Sequence, residues 1–316
     1  MKYLTHWLTA TITLSLLVFL RVQDGGLTET LRLKSFDYLQ STDPITVSED
    51  IIIVELDEKS IEMNGQWPWS RDKIADLIWQ LREQGAGIIL LPILFSEDDR
   101  AGQDMALAQA LVGNGVVIGQ VGTTQTNKNA VPRGVAKIGD PLPWLFQWPG
   151  MLGPIELLGL NADGVGVLNI APEIDGVTRR VPLIMTVGEQ TYPAMAIEMI
   201  RVAVGDPSYQ IKAGAGGVIA VRVPGYDTIY TDQHARIWLR WNKQFPTVSS
   251  ADDLSVVAGK TVIVGLTAEG LASTIASPTG TQYAHTPIAV SLQTIINGEN
   301  IQRTDLADMY ELAYLL

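Results

Sequence analysis

The apolar positions of this chain change pattern three times. From Leu4 to Val22 they are nearly continuous, with no Asp, Glu, Lys or Arg between Lys2 and Arg21. At about 1.5 Å per residue this run covers roughly 28 Å, close to the thickness of bilayer hydrocarbon. It predicts a membrane helix over residues 1–22, with Thr5, Thr9, Thr11, Thr13 and Ser15 satisfied by bonds to preceding carbonyls. The competing reading is a cleaved signal peptide, which needs small residues after Leu20; the chain reads Arg21-Val22-Gln23-Asp24-Gly25 there instead. The amino terminus and Lys2 favour an N-inside orientation, against Arg21, Arg32 and Lys34 on the far side. Residues 23–50 are polar and predict a stalk helix, with an apolar patch at Leu27, Leu31 and Leu33, followed by a linker containing Pro44.

From Ile51 onward the pattern becomes that of a layered α/β domain, expected over residues 51–300. Ile51-Ile52-Ile53-Val54 is a β-branched run suited to a strand buried on both faces. Ser70 then precedes Ile74, Leu77, Ile78 and Leu81, spaced as one face of a helix. Gly85 and Gly87 stop it, Ile88–Leu91 predicts a second strand, Met105–Leu111 a helix and Val116–Ile118 a third strand. Short connections between these elements predict parallel βαβ units: a largely parallel or mixed central sheet with helices on both faces. Residues 121–163, rich in Pro, Gly and Trp, read as a long excursion over the sheet. Val165–Ile170 and Val177–Val187 flank Asp175-Gly176 and predict a β-hairpin within the insertion. Ala194–Val204 predicts a helix, Thr261–Gly265 a last strong strand, and Ile288–Ile296 an apolar helix after a loop. Residues 301–316 turn apolar again and read as the lead-in to a second membrane helix.

Composition narrows the function. Lys and Arg number 22 against 34 Asp and Glu, a net charge of −12, so a nucleic-acid backbone would be repelled. With 47% hydrophobic residues there is ample core material, and the absence of Cys removes disulfides, Cys-ligated metals and thiol nucleophiles. No cofactor is expected. No P-loop, H-E-x-x-H or G-x-S-x-G occurs, and of three His, His6 lies in the apolar segment while His234 and His285 read as solvated or structurally bonded rings.

The candidate site lies at the carboxyl ends of the strands, where open α/β sheets hold their ligands. Asp57 ends the first strand, Ser96 and Glu97 follow the second, and Gly265, Leu266 and Thr267 end the last. Asp57 also reads as the cap of the following helix. Trp67-Pro68-Trp69-Ser70-Arg71 sets two indoles around a proline ahead of a guanidinium, either a ligand platform or a loop plug. The expected ligand-binding set is Asp57, Trp67, Trp69, Arg71, Glu97 and Thr267, with Asp57 and Arg71 expected to form a buried pair. Glu97-Asp98-Asp99 offers oxygen ligands for a hard cation but also reads as a solvated acidic turn.

The run IIIVELDEKSIEMNGQWPWSRDKIADLIWQLREQGAGIILLPILFSEDD is similar to the core of the type-two CHASE sensor domain. So are DGVGVLNIAPEIDGVTRRVPLI, with Asp163, Asp175, Gly176, Arg179 and Arg180, then FPTVSSADDL and AGKTVIVGLTAEGL, with Gly259, Lys260, Gly265 and Ala268. The resemblance covers roughly residues 35–300 in order. It implies an extracytoplasmic input domain of a membrane-bound receptor that relays a stimulus to a cytoplasmic output such as a nucleotide cyclase or histidine kinase. The implied partners are the lipid bilayer, a second copy through stalk and membrane helices, and a small-molecule or protein stimulus. Polar positions of the family fall here on Pro92, Ser273, Ile288 and Val290, whereas Asp57 keeps its place. Two other readings stand beside this one: a metal-assisted hydrolase built on Asp57 and Glu97-Asp98-Asp99, and a non-signalling envelope protein that holds partners through its Trp-rich loop.

Overall fold

The structure, a computed structural model, describes residues 2–23, 26–125 and 127–301. The chain divides into two compact units, the first holding the N-terminal helices and the second spanning Pro44–Ile301. In the first unit, α1 covers Lys2–Gln23 and α2 covers Gly26–Thr42. The hydroxyls of Thr9 and Thr11 donate to the carbonyls of His6 and Trp7, both at 2.9 Å, as expected of Thr inside an apolar helix. Among the described residues no helix is long and apolar enough to cross a membrane. The expected membrane helix is therefore not supported there: His6 and the Thr positions dilute the apolar run, and the side chains of residues 2–5 and 20–23 lie outside those described. Of the expected second lead-in, residues 302–316 also lie outside the described residues.

The second unit is a mixed α/β fold with several sheets and helices on both sides. Its main sheet begins with β1 (Ile51–Leu56). There follow α3 (Glu58–Asn64), α4 (Arg71–Glu83), β2 (Ile89–Leu94), α5 (Asp104–Leu111), β3 (Val116–Thr123), β4 (Gly150–Leu152), α6 (Glu156–Asn161), β5 (Gly164–Val167) and α7 (Met195–Val204). This unit closes with β6 (Thr247–Ser249), β7 (Thr261–Leu266), the β8 (Thr274–Ser277) and β9 (Gly280–Tyr283) hairpin and α8 (Thr286–Ile296). The strand order is β6-β1-β7-β2-β3-β4, with β5 also beside β3. Every pairing is parallel except that of β4 with β3.

Alternation along the strands divides the core in two. Ile51, Ile53, Leu90, Val117 and Ile263 pack on one face with α7 and α8. Ile52, Val54, Ile89, Leu91, Val116, Ile118, Val262 and Val264 pack on the other with α4, α5 and α6. Successive side chains point to opposite faces, so a strand covered on both sides must be apolar throughout.

The expected hairpin around Asp175-Gly176 does not form. Asp175-Gly176 is a turn, with Gly176 at φ +78°, but its flanks pair elsewhere. β5 joins β3, Arg180–Pro182 pairs with Arg236–Trp238, and Ile184–Val187 forms a hairpin with Gln190–Pro193. Strands buried in different sheets cannot be told apart by local turn chemistry. A second sheet, of four strands, orders Thr228–Tyr230, Gly217–Arg222, Tyr209–Gly214 and Val135–Ile138, so the Pro-rich excursion contributes an edge strand.

Candidate functional site

The carboxyl ends of β1, β2 and β7 open into a cleft of about 760 Å³. Leu56 closes β1 at its floor, and Val264 and Leu266 face it from β7. The contribution of β2 depends on a proline. The pairing of β2 with β3 shifts register between Leu91 and Leu94, and Pro92 stands in that irregularity. A proline cannot donate to the ladder, so within a sheet it is confined to edges and bulges. The bulge lets Pro92, Ile93 and Leu94 all line the cleft.

The outer walls come from two segments. One is the β8–β9 hairpin, where Ser273 to Ala276 line the cleft; the other is the chain after β5, including Gly176 and Thr178. They are joined where the Thr178 amide donates to the Ala276 carbonyl at 2.9 Å. Two arginine forks hold the second wall. Fully buried Arg179 donates to both carboxylate oxygens of Asp175 at 2.8 Å. Arg180 donates to Glu173 at 2.6 and 2.7 Å and lies 4.6 Å over the Trp238 ring.

His285 caps the start of α8 and lines the cleft. Its side chain is buried, at 6% exposure, packed across Gly265 and nearly parallel to Tyr283 at 5.6 Å. Among the described residues its ring nitrogens have no hydrogen-bond partner. Burial pushes its pKa down to about 4, so the imidazole is neutral at physiological pH. This corrects the sequence reading of a solvated or structurally bonded ring; that reading does hold for His234, whose Nδ1 meets the Trp144 carbonyl at 2.8 Å. The signal lay in Gly265, a glycine inside a β-branched strand, which marks a close approach by another group.

Of the six residues expected to bind ligand, Trp67 alone lines the cleft. Its peptide bond to Pro68 is cis, and its ring meets Trp69 edge to face at 5.7 Å. Trp69 is a buried plug whose indole donates to the Gly65 carbonyl at 2.8 Å. The Asp57–Arg71 pair does not form. Asp57 caps α3, accepting from the Ser60 amide at 2.9 Å, the Ser60 hydroxyl at 2.6 Å and the Ser249 hydroxyl at 2.8 Å. Partial burial opposes its ionisation, but these bonds outweigh burial and hold its pKa below the usual aspartate value. Arg71 instead bonds the Glu97 carbonyl at 3.1 Å, stacks 4.6 Å from the Phe95 ring and approaches Asp104 at 3.4 Å. Both Arg71 and Asp104 stand at helix starts, and packing of α4 on α5 brings them together. That approach lacks hydrogen-bond geometry, leaving Arg71 Nε and Asp104 Oδ1 as contact ions.

Glu97 is exposed, and Asp99 is spent on its own turn, bonding the Gln103 amide at 3.0 Å. Among the described residues no group of three or more His, Asp or Glu side chains is placed to hold a metal ion. The Thr267 amide donates to the Leu56 carbonyl at 3.1 Å, while its hydroxyl is buried without a partner. Pro92, Ser273 and Ile288, three of the positions where the resemblance expected polar groups, meet in the cleft. Val290 lies in the core.

No curated protein and no solved structure matches the chain. The model of the CHASE2 domain matches residues 11–311, nearly the whole sequence. The chain therefore belongs to the CHASE2 domain family of extracellular sensory domains.

Proposed function

We propose that this chain is the signal-input domain of a membrane-bound receptor, holding its cleft outside the cytoplasmic membrane and relaying occupancy to a cytoplasmic output. The cleft is the observation that carries this reading. It lies where three buried strands end, and its walls are a hairpin and a clamped loop, elements able to move without breaking the sheet. Attachment to the bilayer is supported by α1, on which Trp7, Leu8, Ile12, Leu16 and Phe19 are each more than half exposed. Such a contiguous apolar surface is costly in water and suited to lipid. The hydrolase reading loses its parts, because Asp57 is committed to a helix cap and Glu97 faces solvent.

An alkaline-phosphatase fusion after Asn300 tests the placement. Active phosphatase together with a retained N-terminus is expected. An inactive fusion contradicts the extracytoplasmic placement, and a mature N-terminus beginning after Val22 replaces the anchor with a cleaved leader.

A further inference from the structure

Resting on the reading of the cleft as the input site, we infer that its ligand is a small, uncharged, largely apolar molecule that makes one hydrogen bond to the His285 imidazole. Among the described residues no Asp, Glu, Lys or Arg lines the cleft. A charged ligand would give up its hydration and meet no counter-charge, a loss that apolar walls cannot offset. The volume of about 760 Å³ falls within the roughly 300–1,000 Å³ of small-molecule sites. The walls are aliphatic from the strands and aromatic at Trp67, which offers a flat surface to a ring.

His285 supplies the polar anchor. The residue is more than nine-tenths buried and lines the cleft, yet its ring nitrogens bond no described residue and are not sealed from solvent, so they are open to a partner in the cleft. A neutral imidazole offers one donor and one acceptor, so a ligand hydroxyl, amine or carbonyl satisfies it. Thr178 is the other buried residue on the walls with a polar side chain; its amide donates to Ala276, and its hydroxyl, like those of the exposed Ser273 and Thr274, is a neutral group that leaves the cleft uncharged.

Two probes of one skeleton test the inference on the full 316-residue chain in lipid discs. N-phenyl-1-naphthylamine is neutral with a single N–H; 1-anilinonaphthalene-8-sulfonate adds a fixed negative charge. Probe fluorescence is read as the difference from Ala284→Trp, whose indole would fill the cleft, with Ser273→Trp as a second filled variant. The neutral probe should saturate the wild type, bind about tenfold or more tighter than the sulfonate, and be lost in both filled variants. His285→Phe, melting normally, should weaken it about fivefold to tenfold, the worth of one hydrogen bond. If His285→Phe fails to fold, His285→Gln takes its place and should retain binding better than His285→Ala. Tighter binding of the sulfonate, lost in the filled variants, would overturn the ligand class and leave the cleft as a binding site. Identical signals from wild-type and both filled variants would overturn the cleft itself.

Discussion

The imidazole of His285 packs so closely across Gly265 that a methyl group on that glycine would sit 2.5 Å from Cε1 and 2.7 Å from each ring nitrogen. Real carbon atoms do not approach so near, and Gly265 lies inside β7, the strand between β1 and β2. Either the ring or the strand must yield. Gly265→Ala should therefore destabilise the fold by about 1–3 kcal/mol, the usual cost of overpacking. In a Gly265→Ala/His285→Ala double variant the loss should be well below the sum of the single ones, because the clash is then removed. Urea melts of the three variants check this, and strict additivity would show that the two residues do not press on each other.

The same burial makes stability depend on pH. The pKa of His285 lies near 4 in the fold and near 6.5 in an unfolded chain. A base whose pKa is lowered by folding leaves stability intact above about 6.5. Below that the unfolded chain binds the proton first, so stability falls until the folded pKa is passed. The loss between pH 6.5 and 4 should approach roughly 3 kcal/mol. Across this range the wild type should lose stability relative to His285→Phe as the pH drops. A constant gap between them would mean that the ring titrates normally.

Asp57 and Arg71 act separately. Asp57→Ala removes a helix cap and its bonds to Ser60 and Ser249, at about 1–2 kcal/mol. Arg71→Ala removes a cation from the Phe95 ring and from Asp104, at about 1–2 kcal/mol. They share no partner, so the double variant should be additive within about 0.5 kcal/mol. A coupling energy above about 1 kcal/mol in the melts would restore the direct pair.

How far such details could be read from the sequence depended on whether local pattern decided them. Ile51-Ile52-Ile53-Val54 announced a strand covered on both faces because both its neighbours are apolar layers. The helix around Leu77 follows from its three- and four-residue apolar spacing, and those around Ala108 and Leu292 stand where short apolar runs lie between strand and turn signals. Arg71 was misread because its partner, Asp104, is set by the packing of α4 on α5, which no local spacing reports. The sequence favours Trp69 as a loop plug over a ligand platform, and its bond to the Gly65 carbonyl agrees with the plug. The burial of His285 depends on the β8–β9 hairpin, whose Tyr283 stacks on the ring, and no local pattern reports that contact. Asp175-Gly176 did signal a turn, but the strands on either side belong to different sheets.

Arg179 holds the cleft wall by a fork that lysine cannot reproduce. Arg179→Lys keeps the charge but loses one of the two parallel bonds to Asp175 in a fully buried setting, so it should cost about 2 kcal/mol or more. The loss should also appear as faster amide exchange around Gly176 and Thr178, with the centre of β1 unchanged. Exchange that rises equally in β1 would show global unfolding instead of a loosened wall.

Amide hydrogen exchange of the full chain, with and without saturating N-phenyl-1-naphthylamine, tests most directly that the cleft is where a stimulus is received. Protection is expected in residues 168–178 and in the β8–β9 hairpin, with the four-stranded sheet around Tyr209–Gly214 unaffected. Protection confined to that second sheet, or a pattern identical with and without probe, would contradict the assignment of the cleft as the input site.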